Sequence, residues 1–107
     1  MSQDIQPIFR ALADPTRREL VGLLSEQVLS ISSLAANFNS SRNAIVKHLK
    51  VLEEGEIIGS YAEGTQKLHF LRPENLQPAH LWLSQYEEFW DAKLQQLKAS
   101  IEASHHE

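Results

Sequence analysis

Asn39-Ser40-Ser41-Arg42-Asn43-Ala44-Ile45-Val46-Lys47-His48-Leu49-Lys50-Val51-Leu52 is the stretch from which the fold can be read. Ser41 is suited to cap a helix, because its hydroxyl can accept from the free N–H groups of a first turn, and Asn39 and Ser40 supply turn chemistry before it. A helix is therefore expected from Arg42. Ile45, Leu49 and Leu52 recur at helical spacing and should face a core, while Arg42, Asn43, Val46, Lys47 and Lys50 project on the other side. Cations, an amide and a small apolar group in one row suit phosphates, adenine edges and thymine methyls of a DNA major groove. A short Lys/Arg row is more often a solvated helix face. Against that reading, no Asp or Glu occurs from Gln27 to Leu52, although acids outnumber bases over the chain.

Upstream, Leu34, Ala35 and Phe38 define a shorter helix that Ser32 or Ser33 would cap, preceded by an extended piece at Val28 to Ser30. Two helices joined by a tight polar turn, the second carrying the basic row, form a helix-turn-helix over 32–54. Gly55 is expected to end the second helix in the left-handed conformation. Ile57 to Ala62 and Lys67 to Leu71 then read as a β-hairpin bent at Gly64, a wing over 57–71 with Lys67 as its nearest cation. The fold class is mainly α with a small β-hairpin: a winged helix-turn-helix.

Nearer the N-terminus, Ile5, Ile8, Phe9 and Leu12 mark a first helix. Asp14 and Pro15 start a second, as cap and first helical residue, with Leu20, Val21, Leu23 and Leu24 buried. After Pro73 one long helix is expected over 74–103, Pro78 lying in its first turn. Leu83, Tyr86, Trp90, Leu94, Leu97 and Ile101 step by three or four along it. A domain this small has little left to cover such a face, so a second copy of the chain is the expected partner, the alternative being a last helix folded back on its own domain. Dimerisation is assigned to the helices at 1–13 and 74–103, through Ile5, Ile8, Phe9, Leu83, Tyr86, Trp90, Leu94 and Leu97.

The 107 residues make one domain, 1–107, without room for a spacious buried active site. There is no cysteine, which excludes disulfides and thiolate metal sites. The net charge of −4 speaks against a polyanion partner, but its distribution does not. Eight acids balance eight bases from Met1 to Pro73, and six acids meet only Lys93 and Lys98 beyond it. No apolar run reaches membrane length and no signal-peptide pattern is visible, so a cytoplasmic protein is expected. No nucleophile motif, phosphate-binding glycine loop or metal-ligand spacing is present, which argues against an enzyme and implies no cofactor.

Phe9-Arg10-Ala11-Leu12-Ala13-Asp14-Pro15-Thr16-Arg17-Arg18, the run from Ser41 through His48-Leu49-Lys50-Val51-Leu52-Glu53-Glu54, and the Gly64 hairpin followed by Phe70-Leu71 together resemble the arsenic-repressor-like (ArsR/SmtB) winged-helix transcriptional repressors. The resemblance extends from Ile8 to about Leu97. It implies a homodimer, paired through its first and last helices, that binds a partly palindromic operator in double-stranded DNA. It also puts Ser41, Arg42, Asn43, Val46 and Lys47 on the DNA-reading surface; the exposed row and the wing themselves add Lys50 and Lys67, which with Arg42 and Lys47 are offered to phosphates or bases. His48 falls where the family has a conspicuous histidine, here read as half-buried packing. Several family features are missing. Ser32-Ser33-Leu34-Ala35 stands where many members carry a cysteine metal motif, and His80, Asp91 and Leu94 do not reproduce the metal ligands others carry on the last helix. Val46 replaces a polar residue, Glu63 and Thr65 replace arginines usual at the wing tip, and Glu56 stands where a glycine is usual, so that either Gly55 takes over the left-handed position or the turn is rebuilt. A winged-helix protein-interaction module, and a metal-responsive repressor using His105, His106 and Glu107, are the competing readings. A ligand near Trp82, Tyr86, Phe89 and Trp90 is a further option that ordinary aromatic packing would equally explain.

Overall fold

The computed structural model describes residues 4–104. Its elements are α1 (Gln6–Leu12), α2 (Pro15–Leu24), β1 (Leu29–Ser30), α3 (Ile31–Ala35), α4 (Arg42–Glu54), β2 (Ile58–Glu63), β3 (Gln66–Leu71), α5 (Gln77–Ser84) and α6 (Glu87–Ser104), with a 3-10 turn at Pro73–Leu76. The three strands form an antiparallel sheet in the order β1-β3-β2. β2 and β3 pair from Ile58↔Leu71 to Glu63↔Gln66, and β1 adds Leu29↔His69 and Ser30↔Leu68 on the other edge of β3. The chain is a winged helix-turn-helix, as the sequence predicts.

Local chemistry accounts for most helix starts. The Asp14 carboxylate accepts from the N–H groups of Thr16 at 2.8 Å and Arg17 at 3.2 Å, with Pro15 at the first helical position where it forfeits no bond. Ser41 accepts from the N–H of Ala44 at 3.1 Å and begins α4 where expected. α3 differs: its cap is Ser30, whose hydroxyl accepts from Ser33 N–H at 3.1 Å, not Ser32 or Ser33. Ser30 ends β1 in extended conformation, the geometry an N-cap requires, so strand and cap share one residue.

The hairpin closes through Gly64-Thr65. Gly64 has φ +62° and is the first residue of a two-residue loop, the position where a type II′ turn demands glycine. The core gathers Leu20 and Leu24 of α2, Leu34 of α3, Ile45, Leu49 and Leu52 of α4, and Ile57 and Ile58 at the base of the wing. Ile8 belongs to it as well, 6% exposed, which corrects its assignment to a subunit interface. α1 lies across the C-terminal end of α4, so Ile8 and Ala11 face inward while Phe9 remains partly exposed.

Two further corrections concern backbone. Gly55 is right-handed, φ −80°, and the left-handed residue is Glu56, φ +60°. Ile57 N–H donates to Leu52 C=O at 3.1 Å and Glu56 N–H to Glu53 C=O at 2.9 Å, the paired bonds of a Schellman motif with Glu56 at its left-handed position. Gly55 serves packing instead: a Cβ there would lie 3.0 Å from Pro7 O and 3.3 Å from the Ala11 Cβ.

The expected single helix over 74–103 is divided into the 3-10 turn, α5 and α6. At the second break the Gln85 amide donates to Trp82 C=O at 2.8 Å, and Tyr86 N–H turns to Leu83 C=O at 3.1 Å. The side chain thus takes the carbonyl that an uninterrupted helix would use for Tyr86, a local competition that apolar spacing does not reveal. α6 buries no residue and does not fold back. The Cα radius of gyration is 19.2 Å, against about 13 Å for a compact chain of this length.

Candidate nucleic-acid interface

The predicted reading row is exposed as a set. Ser41, Arg42, Asn43, Val46, Lys47 and Lys50 are all exposed, while Ile45, Leu49 and Leu52 are 2% exposed or less. On a helical wheel Arg42 to Lys50 occupy an arc of about 140°, away from the core. α4 is fixed from below by three leucine or isoleucine turns and at its start by Ser41, so the row is presented on a rigid element.

Strand β3, from the hairpin tip inward, lies against this row. Arg42 and Lys67 line one depression together with Ser30, Ser32 and Thr65, and Val46, Lys50 and Lys67 line the next. Lys67 is thereby joined to both ends of the helical row. Arg42 is pre-oriented by a bond from its guanidinium to the Ser32 hydroxyl at 2.9 Å, which ties α4 to α3 across the turn. One acid, Glu53, lies beside the row, 4.0 Å from Lys67. Asp4, Glu54, Glu56 and Glu74 surround a groove of about 410 Å³ at the opposite end of α4.

Three charged groups have structural duties that spacing alone does not disclose. Arg17 donates through Nε to Ala11 C=O at 2.7 Å and through a terminal nitrogen to Arg10 C=O at 3.0 Å, satisfying the open end of α1. Its other nitrogen lies 3.3 Å from His48 Nδ1, which must accept because a guanidinium cannot. Asp14 stands 3.9 Å from the same nitrogen. Partial desolvation raises the Asp14 carboxyl, but the amide donors of Arg17 and Thr16, together with the neighbouring His48 ring and the Arg17 charge, outweigh it, so its pKa falls below 3.8. His48 thus links the reading helix to the junction of α1 and α2, in keeping with its half-buried position. The Leu-Ala-Asp-Pro-Thr-Arg-Arg string is a capping device, completed by Arg18 donating to Leu12 C=O at 2.7 Å.

Sequence reasoning passed over Glu53 and His69. His69 is 2% exposed at the centre of the sheet, 3.5 Å from Glu53, and burial lowers its pKa below 6.5 against the opposing pull of Glu53. The available signals were alternation with Lys67 and Leu71 on β3, and the three-residue step from Lys50 to Glu53 on α4.

The predicted dimerisation residues other than Ile8 are at least partly accessible. Leu83, Tyr86, Trp90, Leu94 and Leu97 are 40–60% exposed, and Ile5 and Phe9 are half-buried. Phe9 meets Trp82 edge-on at 5.7 Å, and Trp82 meets Tyr86 at 5.3 Å, so α1 and α5 form one aromatic surface that continues onto α6. Among the described residues no helix is long and apolar enough to cross a membrane, and no three His, Asp or Glu side chains are grouped for a metal ion. His105, His106 and Glu107 lie outside the described residues.

A capped helix-turn-helix with an exposed cationic row and a flanking wing defines a DNA-binding transcriptional regulator. A helix-turn-helix domain family matches residues 12–59. The transcriptional repressor SdpR of Bacillus subtilis is 32% identical over 76 residues, covering 71% of this chain and 84% of that protein. An arsenical resistance operon repressor of Staphylococcus xylosus is 28% identical over 74 residues, covering 69% and 71%. Among solved structures, an ArsR-like transcriptional regulator from Rhodococcus superposes with a TM-score of 0.73 at 30% identity, covering 92% of this chain and 91% of that one. The homodimeric winged helix-turn-helix domain of a Mycobacterium bovis protein shares the fold, with a TM-score of 0.64 at 17% identity. The chain belongs to the ArsR family of winged helix-turn-helix transcriptional regulators.

Proposed function

We propose that the protein is a homodimeric repressor in which α4 of each subunit enters successive major grooves of a partly palindromic operator, about 34 Å apart. Arg42, Asn43, Val46 and Lys47 read base edges, Val46 favouring a thymine methyl, and Lys50 and Lys67 hold phosphates. The observation that carries this reading is the exposed arc from Arg42 to Lys50 with Lys67 beside it, in a segment free of carboxylates. The uncovered apolar face of α5 and α6, continuous with Phe9, supports pairing through the first and last helices. An α6 of 18 residues is about 27 Å long, enough to pair with its own copy over several turns. The SdpR relative is a named repressor, and the Mycobacterium bovis domain is a homodimer, which supports the same assembly and sign of regulation here.

Two phosphate-holding lysines per subunit give four in the dimer, so log Kobs should fall with log salt at a slope of about −4. Doubling the salt would then weaken binding roughly 10-fold. The test is an anisotropy titration against DNA from upstream of the protein's own coding region at two salt concentrations. A salt-independent affinity, or no preference over scrambled DNA, would exclude sequence-specific binding through this row.

A further inference from the structure

Beneath the junction of α4 and the wing lie two polar atoms that make no hydrogen bond, Glu53 Oε1 and His69 Nδ1, both buried. Glu53 Oε1 is 3.5 Å from His69 Nε2 and 4.0 Å from Lys67 Nζ. All three side chains border a pocket of about 270 Å³ that also contains Val46 and Lys50. Lys67 is half exposed at 53%, so the carboxylate restrains it at the surface without enclosing it.

We propose that Glu53 competes internally for Lys67, and that when a DNA phosphate draws Lys67 away, His69 takes up a proton and becomes the counter-charge of Glu53. The inference rests on the DNA-binding reading above and adds a proton to it. In the free protein Glu53 has an ammonium at 4.0 Å and no hydrogen bond to Oε1, so it depends on that cation. Moving Lys67 onto a phosphate removes a positive charge from beside His69 and brings a negative one near. Both changes favour the imidazolium, and the Glu53 carboxylate remains to accept from Nε2. The proton comes from solvent onto the unpartnered nitrogen.

The charged groups acting on His69 are Glu53 from α4 and Lys67 from its own strand. Lys50 borders the same pocket, and the strand neighbours Leu29 and Ser60 carry no charge. Burial is the largest influence on His69 and holds it neutral in the free protein at neutral pH. Binding that protonates it must strengthen as pH falls, by up to about tenfold per pH unit for each subunit that takes up one proton.

The experiment measures affinity of the full chain for a rhodamine-labelled, mixed-sequence duplex from pH 8 to pH 6 at fixed ionic strength. Wild type should bind more tightly toward pH 6, His80→Asn should behave the same, and His69→Phe should lose the dependence. Glu53→Gln should bind about 3- to 10-fold more tightly at pH 8, because Lys67 is released before the DNA arrives. That gain should vanish in Glu53→Gln/Lys67→Gln, which separates competition for Lys67 from simple removal of a negative charge. In the free protein, NMR titration of His69 should move to lower pH in Glu53→Gln and to higher pH in Lys67→Gln. Equal affinities and pH profiles in wild type and Glu53→Gln, with both binding DNA, would overturn the proposal and leave the DNA-binding reading standing. Failure of every duplex to bind at any salt would overturn both.

Discussion

Exchanging the roles of Gly55 and Glu56 tests how the reading helix is ended and held. Glu56 occupies the left-handed region at φ +60°, where a side chain costs about 1–2 kcal/mol that glycine avoids. Part of the relief in Glu56→Gly is offset by roughly 0.4–1 kcal/mol of added chain entropy in the unfolded state. Removing an anion from a helix C-terminus returns a few tenths of a kcal/mol. The Asn75 amide that donates to Glu56 C=O at 2.7 Å is a backbone contact and survives the change. The net expectation is stabilisation by about 1 kcal/mol, or a rise in Tm of about 4–8 °C for a domain of this size. Gly55→Ala should act in the opposite sense. Its Cβ would meet Pro7 O at 3.0 Å and the Ala11 Cβ at 3.3 Å, both on a helix that cannot move without disturbing Ile8, and overpacking of this kind costs about 1–3 kcal/mol. Thermal unfolding followed by circular dichroism, with chemical denaturation as a check, measures both. If Gly55→Ala is neutral while Glu56→Gly destabilises, glycine 55 holds the left-handed position and the account of this helix end is wrong.

Arg17→Met removes two charged donors from the carbonyls of Arg10 and Ala11 and should cost about 1.5–3 kcal/mol; an unchanged midpoint in urea would show that α1 does not need them. Trp90→Glu with Leu94→Glu should convert the proposed dimer to a monomer by analytical ultracentrifugation and retain the far-ultraviolet helix signal, since α6 buries nothing within its own protomer. A dimer that survives both substitutions would move the interface elsewhere. Stability should decline on the acid side. His69 has a folded pKa below 6.5, so as pH falls through that ordinary value the unfolded chain binds a proton the folded chain refuses, and the loss is complete below the folded value. Asp14, also depressed, contributes stability above its ordinary 3.8 that is lost as pH falls through its lower folded value. His69→Phe should abolish the first of these losses in urea titrations between pH 7 and pH 5, and a wild-type profile flat over that range would contradict a buried neutral His69.

What the sequence alone determined was whatever local chemistry and period can encode. Ser41 as cap, the core positions Ile45, Leu49 and Leu52, Asp14 with Pro15, the bend at Gly64 and the exposed row from Arg42 to Lys50 all follow from interactions within a few residues. The tertiary structure decided what depends on distant neighbours. Gly55 is glycine because α1 crosses there, which leaves Glu56 to turn the chain, and Ile8 enters the core because that crossing turns it inward. Arg17 reaches back to α1 and across to His48, a contact spanning 31 residues that no spacing announces. Glu53 and His69 come together only when the wing folds against α4, since a helix period and a strand period place each residue on a face but cannot say which face will meet the other.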